Sequence, residues 1–229
     1  MCPSSEEIEL LRRTEDYKHT KKKIERLSLV LGVHPDVANI YPSRYLQFRS
    51  MLPEALKKHT ESVEMSRILR EVKSQIEYGN QQRESMNKML GYLGLVESLG
   101  VSYADIVLTL SIASGSDLHT KGTATRHVTS FEDLQTLDLI YKLDFLEKEI
   151  GLPIFKTMIN RTYRNYIAHL NFRIDTEGTI RDNGNNQIQI DEAVNSFWKC
   201  VDILELVFQD MNLWQRLEEV LVRDPEEPV

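Results

Sequence analysis

An all-α fold, an up-and-down helical bundle, is the class this sequence predicts, and three observations predict it. Apolar residues recur at three- and four-residue intervals from Ile8 to Val222. Helix-starting residues such as Ser4, Ser130 and Asp191 precede those stretches, and Gly, Asn or Pro follow several of them. Only Phe172 to Ile190, around Asp182-Asn-Gly-Asn-Asn186, reads otherwise, as a small polar hairpin or loop. With 229 residues, 41% of them hydrophobic, the chain can bury a real core.

Taken in order, Ser4 or Ser5 caps a first helix whose opening turn carries Glu6 and Glu7. Ile8, Leu11, Tyr17, Ile24, Leu27 and Leu31 make it one long amphipathic helix, and its basic middle, interleaved with Glu15 and Asp16, is a solvated face. His34-Pro35 and Tyr41-Pro42 bracket a turn. From Pro42 to about Tyr78 the pattern resumes, and Pro53 with the His59-Thr60 step divides it into two helices. Gly79-Asn80 ends the second. The next helix runs from about Gln82 to Leu99, and Ser102 opens a separate, buried helix.

Residues 115–126 are the most loop-like stretch of the first half. Thr129 and Ser130, with Glu132 and Asp133 three residues on, start a helix that continues to Ile150 and stops at Gly151. Pro153 begins another, with Phe155, Met158, Ile159, Tyr163, Tyr166, Ile167 and Leu170 at helical spacing. After the hairpin or loop, Asp191 caps the last long helix, a short helix spans about Leu213 to Val222, and residues 223–229 form a disordered tail. The domain reading is an N-terminal helical region over 1–90, packed on the same core, and a helical bundle over 91–222.

The net charge of -7 and the sequence pI near 5.5 exclude a surface that grips duplex nucleic acid through many phosphates. Any nucleic-acid chemistry must be local. Cys2 and Cys200, far apart in sequence, make neither a disulfide framework nor a Cys-x-x-Cys metal pair. The longest apolar stretch, Ala104 to Ala113, is interrupted by Asp105, Thr109 and Ser111 and reads as a buried helix; a cytoplasmic protein with no membrane association is expected.

Against this acidic background, Gly151 to Arg173 carries Lys156, Arg161, Arg164 and Arg173 and no carboxylate. In Arg161-T-Y-R-N-Y-I-A-H-L-N-F-Arg173, Arg164, Asn165 and His169 supply the groups that RNA cleavage needs. Imidazole, which ordinarily titrates near neutrality, can take the proton of a 2′-hydroxyl or give one to a leaving 5′-oxygen. Guanidinium groups can hold the scissile phosphate as charge builds on it. Asn165 and His169 share a helical face, whereas Arg164 and His169 lie about 140° apart around the axis, so a helix end or bend near His169 is required. Arg161, Tyr163, Arg173 and Lys156 are the candidate substrate-binding residues, with Tyr163 placed to stack on a base. Spacing alone carries little: Arg13 and His19 satisfy an Arg-x-His window too, in surroundings that support no site.

The Arg164-Asn165-x-x-x-His169 pattern, with Ile167-Ala168 before the histidine, resembles the signature of the HEPN superfamily, over about Ser130 to Val207. The resemblance implies a helical bundle with the motif on a late helix, Arg164 and His169 as catalytic residues, and Asn165 as the residue orienting them. It implies a metal-independent endoribonuclease without cofactor, acting on single-stranded or loop RNA in a toxin or antiviral-defence setting. Such domains pair, so a homodimer through the motif face is expected, as is a neutralising or regulatory partner protein. An alternative stays open, a catalytically inactive helical module that binds RNA or a partner protein. Asp117, His119 and His127 offer metal-ligating side chains in one loop, but their spacing matches no established ligand set, and loop polarity explains them better.

Overall fold

The structure, a computed structural model, describes residues 4–31, 42–75, 80–119 and 127–222. The turn around 34–42, Gly79, the centre of the 115–126 loop and the 223–229 tail lie outside the described residues. The described chain is an all-α bundle with one two-stranded sheet.

Ser4 opens α1 (Ser5–Arg13) with the expected cap, a reciprocal box with Glu7. The single long helix expected here is interrupted. Thr14 takes an extended conformation, its hydroxyl accepts from the Tyr17 amide, and α2 (Glu15–Ser28) starts afresh. Glu15 and Asp16 in its first turn favour that start. Arg12 donates two hydrogen bonds to Asp210, and the Tyr17 hydroxyl donates to the same carboxylate, so both helices are anchored far along the chain.

Pro53 does not divide the next segment. One 34-residue helix, α3 (Pro42–Gln75), runs through it. Proline removes one backbone donor, but Phe48, Met51, Leu52 and Ala55 around it are all buried, and that burial holds the helix together. The His59-Thr60 step is likewise inside the helix, with His59 facing the core. A second expected break is also absent. Asn80 caps α4 (Gln81–Leu95), a π-helical turn (Val96–Gly100) follows, and α5 (Val101–Ala113) continues without interruption. Ser102 caps nothing; its hydroxyl bonds the Leu99 carbonyl one turn back at 2.9 Å. This helix, Gln81–Ala113, is long and apolar enough to cross a membrane, yet 83% of its most apolar window is buried inside the protein. The division expected at residue 90 falls within α4, and one core cluster takes side chains from both sides of it.

Ser130 and Asp133 form the expected capping box for α6 (Phe131–Thr136), but Leu137 turns extended and separates it from α7 (Leu139–Phe145), which a π-helical turn carries to Ile150. Gly151, at φ 77°, ends it as expected, and His19 on α2 hydrogen-bonds its carbonyl at 2.7 Å. Between α3, α5 and α7 lies a buried charge triad: Asp105 receives Lys142 at 2.7 Å and Lys58 at 2.8 Å. Burial pushes the Lys142 ammonium below the ordinary lysine range, and Asp105 opposes the shift.

The helix expected from Pro153 is split into α8 (Ile154–Met158) and α9 (Arg161–Ala168). The hairpin forms as β1 (Phe172–Ile174) and β2 (Ile180–Asp182). It closes through Asp175 to Thr179, where the Asp175 side chain accepts from the Glu177 and Thr179 amides and Gly178 sits at φ 79°. The Asp182-Asn-Gly-Asn-Asn186 run makes the following turn instead. Then α10 (Ile190–Asp210) begins after Gln189, with Asp191 in its first turn paired to Lys88 rather than capping, and α11 (Leu213–Val222) follows.

Candidate functional site

The motif helix is placed by its neighbours. Ile159, buried, breaks the helical path, and Asn160 restarts it by accepting the Tyr163 amide on its side chain. The Asn160 amide in turn donates to the buried Tyr92 hydroxyl of α4 at 2.9 Å. A Cβ at Gly100 would meet Ile159 at 3.3 Å and Phe197 at 3.2 Å, so the π-helical turn packs closely on the α8–α9 junction and a larger residue there would push those side chains back by a few tenths of an ångström. These contacts position α9 relative to α4 and α10.

On α9, Arg164 donates from Nε to Glu97 Oε1 at 2.6 Å and from Nη1 to Asn165 Oδ1 at 3.2 Å. Glu97 comes from the π-helical turn, and both side chains are part-exposed. The guanidinium is thus fixed in plane by two of its five N–H donors. Asn165 touches Arg164 as an orienting residue would. His169 is the C-cap of α9, at φ -102° and ψ 7°, so the histidine stands at a helix end as the angular argument requires. The end is a Schellman closure: Leu170 donates to the Ile167 carbonyl and Asn171 to that of Tyr166, with Leu170 in the left-handed region at φ 53° where glycine is usual. Holding a leucine there costs about 1–2 kcal/mol. His169 and Leu170 are both exposed, and among the described residues no hydrogen bond joins the side chains of His169 and Arg164.

The other candidates divide. Arg161 is exposed at the rim of a shallow cleft of about 330 Å³, with Ile140, Leu143 and Ile159 on its apolar side. Lys156 lines the same cleft but is engaged by Asp144 at 2.9 Å and by Glu147, so the acid-free stretch of sequence does not make an acid-free surface there. Those two carboxylates hold the Lys156 ammonium above the ordinary lysine range. Tyr163 is half-buried against the core, and its hydroxyl receives the Gln189 amide at 3.5 Å, which leaves little of the ring for stacking. Tyr166 is half-buried against the core, and Asp182 of β2 nearby holds its phenol above the ordinary tyrosine range. Arg173 projects from β1 and donates to Asn185.

Two residues with a part in this arrangement were not singled out in the sequence, Glu97 and Arg181. Glu97 lies 67 residues before Arg164, beyond any local signal. Arg181 is paired with Arg173 across the hairpin, which the period-2 spacing of the strands could have disclosed. Asp117 receives His127 at 2.8 Å and Arg44 at 3.1 Å, and among the described residues no three His, Cys, Asp or Glu side chains are grouped to hold a metal. The chain matches no protein-family model, no curated protein and no solved structure.

Proposed function

We propose that this chain is a metal-independent endoribonuclease of the HEPN type, acting on single-stranded or loop RNA in the cytoplasm in a toxin or antiviral-defence setting. The observation that supports it most is the held guanidinium of Arg164, with donors left over, five residues before an exposed histidine at a strained helix end. Arg164 stabilises the charge that builds on the scissile phosphate. His169 moves the proton at the 2′-oxygen or the leaving 5′-oxygen, and the products are a 2′,3′-cyclic phosphate and a 5′-hydroxyl. Asn165 keeps Arg164 in place. The chain carries one such motif and HEPN-type domains pair, so a second copy of the chain supplies the second motif across a composite cleft. A restraining partner protein would act on the same face.

The test is incubation with single-stranded RNA in EDTA, comparing wild type with Arg164→Ala and His169→Ala. Wild type should cleave, and each variant should lose about 10²- to 10⁴-fold. Equal cleavage by all three sinks the site. Absence of cleavage across varied RNAs, with RNA or a protein still bound, favours the alternative of a catalytically silent binding module.

A further inference from the structure

Arg173 and Arg181 are directly opposite each other in the register of the hairpin, a like-charge pair that on its own opposes strand pairing. Strand alternation puts both on the face away from Phe172, Ile174, Ile180 and Asp182, which are buried or half-buried. Neither arginine has an ion pair among the described residues. Their shared neighbour is neutral: Arg173 donates to the Asn185 side chain and Arg181 to the Asn185 carbonyl at 3.4 Å. Of the carboxylates close in sequence, Asp175 accepts the Glu177 and Thr179 amides, Glu177 makes no ion pair with either arginine among the described residues, and Asp182 is turned inward. Asp182 is buried and is occupied by the Asn186 amide and side chain, which hold it below the usual carboxylate range. Asn185 itself sits at φ 67° to reach both arginines. The turn therefore draws two cations together and draws the nearest anion away from them.

We propose that Arg173 and Arg181 form a phosphate clamp for single-stranded RNA, gripping the sugar-phosphate backbone beside the bond that the motif residues act on. This rests on the ribonuclease reading for its ligand. Arg173 is four residues past His169, and the Asn171 amide closes onto the Tyr166 carbonyl at 2.8 Å immediately before β1, so the strand follows directly on the closed end of the motif helix. Guanidinium groups suit phosphate because their N–H donors match its oxygens in pairs.

The experiment measures binding of a uniformly 2′-O-methylated RNA oligonucleotide, which lacks the attacking hydroxyl, by fluorescence anisotropy from 50 to 200 mM salt. Wild type is compared with Arg173→Ala, Arg181→Ala, the double variant, and Lys57→Ala on α3 as an exposed control; cleavage of ordinary RNA is followed in parallel. Each single substitution should reduce the slope of log affinity against log salt by about 0.7, the double by about 1.4, and the control by nothing. A merely structural role would lower thermal stability and leave the slope unchanged. Unchanged slopes with cleavage intact overturn the clamp and leave the ribonuclease reading standing. Slopes reduced in the variants, with a wild type that never cleaves, overturn the nuclease and leave the clamp. A wild type that binds no RNA overturns both.

Discussion

His59 lies 6% exposed between the rings of Tyr103 and Trp214, each with its centroid 4.6 Å away, whereas His169 ends α9 in open solvent. Burial lowers the His59 pKa to about 4, and its Nδ1 shares a hydrogen bond with Ser102 at 3.0 Å. The cations show the same contrast. Lys142 and Lys58 are closed around Asp105, while Arg161, Arg173 and Arg181 meet no carboxylate among the described residues. The buried titratable groups of the scaffold, Asp105, Lys142 and His59, are met by internal partners. Those at and after the motif helix keep donors or a ring available, which is the condition for acting on something else.

The sharpest way to break this comparison is at the triad. Asp105→Ala leaves two ammonium groups facing each other, one of them buried, and should destabilise the fold by about 3–5 kcal/mol and lower Tm by roughly 10 °C. Urea unfolding with an unchanged m value would check it; a loss under about 1 kcal/mol would mean that the triad is solvated and the contrast false. Next comes acidity. The folded pKa of His59 is below the unfolded 6.5, so the unfolded chain binds the proton first and stability falls as pH drops from about 6.5 to about 4. Wild type should lose on the order of 3 kcal/mol more over that window than His59→Phe, which keeps a ring between Tyr103 and Trp214. Parallel pH dependence in the two proteins would remove His59 as the cause. The smallest effect belongs to the other histidine's neighbour. Leu170→Gly should raise stability by about 1 kcal/mol or less, because relief of the left-handed strain exceeds glycine's added chain entropy. A destabilised variant in urea unfolding would show that the leucine side chain, not strain, dominates at that helix end.

Helix content and three of the helix ends were legible from local causes, whereas the caps at Thr14 and Asn160 were not, and Asp191 lies inside its helix instead of capping it. Ser4, Ser130 and Gly151 act as their types and positions predict. Boundaries failed where tertiary contacts overrode local signals, in both directions. Pro53 and Ser102 carry breaking or capping chemistry yet sit inside helices that the core holds together. Thr14, Leu137 and Ile159 lie within apolar periodicity yet interrupt it: the Thr14 hydroxyl starts α2, and Leu137 and Ile159 turn their apolar side chains into the core. At the candidate site, Arg164, Asn165 and a helix end at His169 could be read because they are neighbours in sequence. The grip of Glu97 on Arg164 and of Asp144 and Glu147 on Lys156 could not, since nothing in a one-dimensional charge count says which acids fold back onto a basic stretch.

The eight-residue length of α9 has a consequence for the order in which the chain matures. A helix that short is not stable by itself in water. Its start leans on Tyr92 and Gly100, residues of the long helix that ends at Ala113, well before α9 in the chain, and its end is closed by strained backbone leading into the hairpin. The α3 and α4–α5 hairpin, local in sequence and rich in buried contacts, can assemble first. The motif acquires its shape only on that platform, so an unfinished or partly unfolded chain carries Arg164 and His169 without the geometry that the proposed chemistry requires.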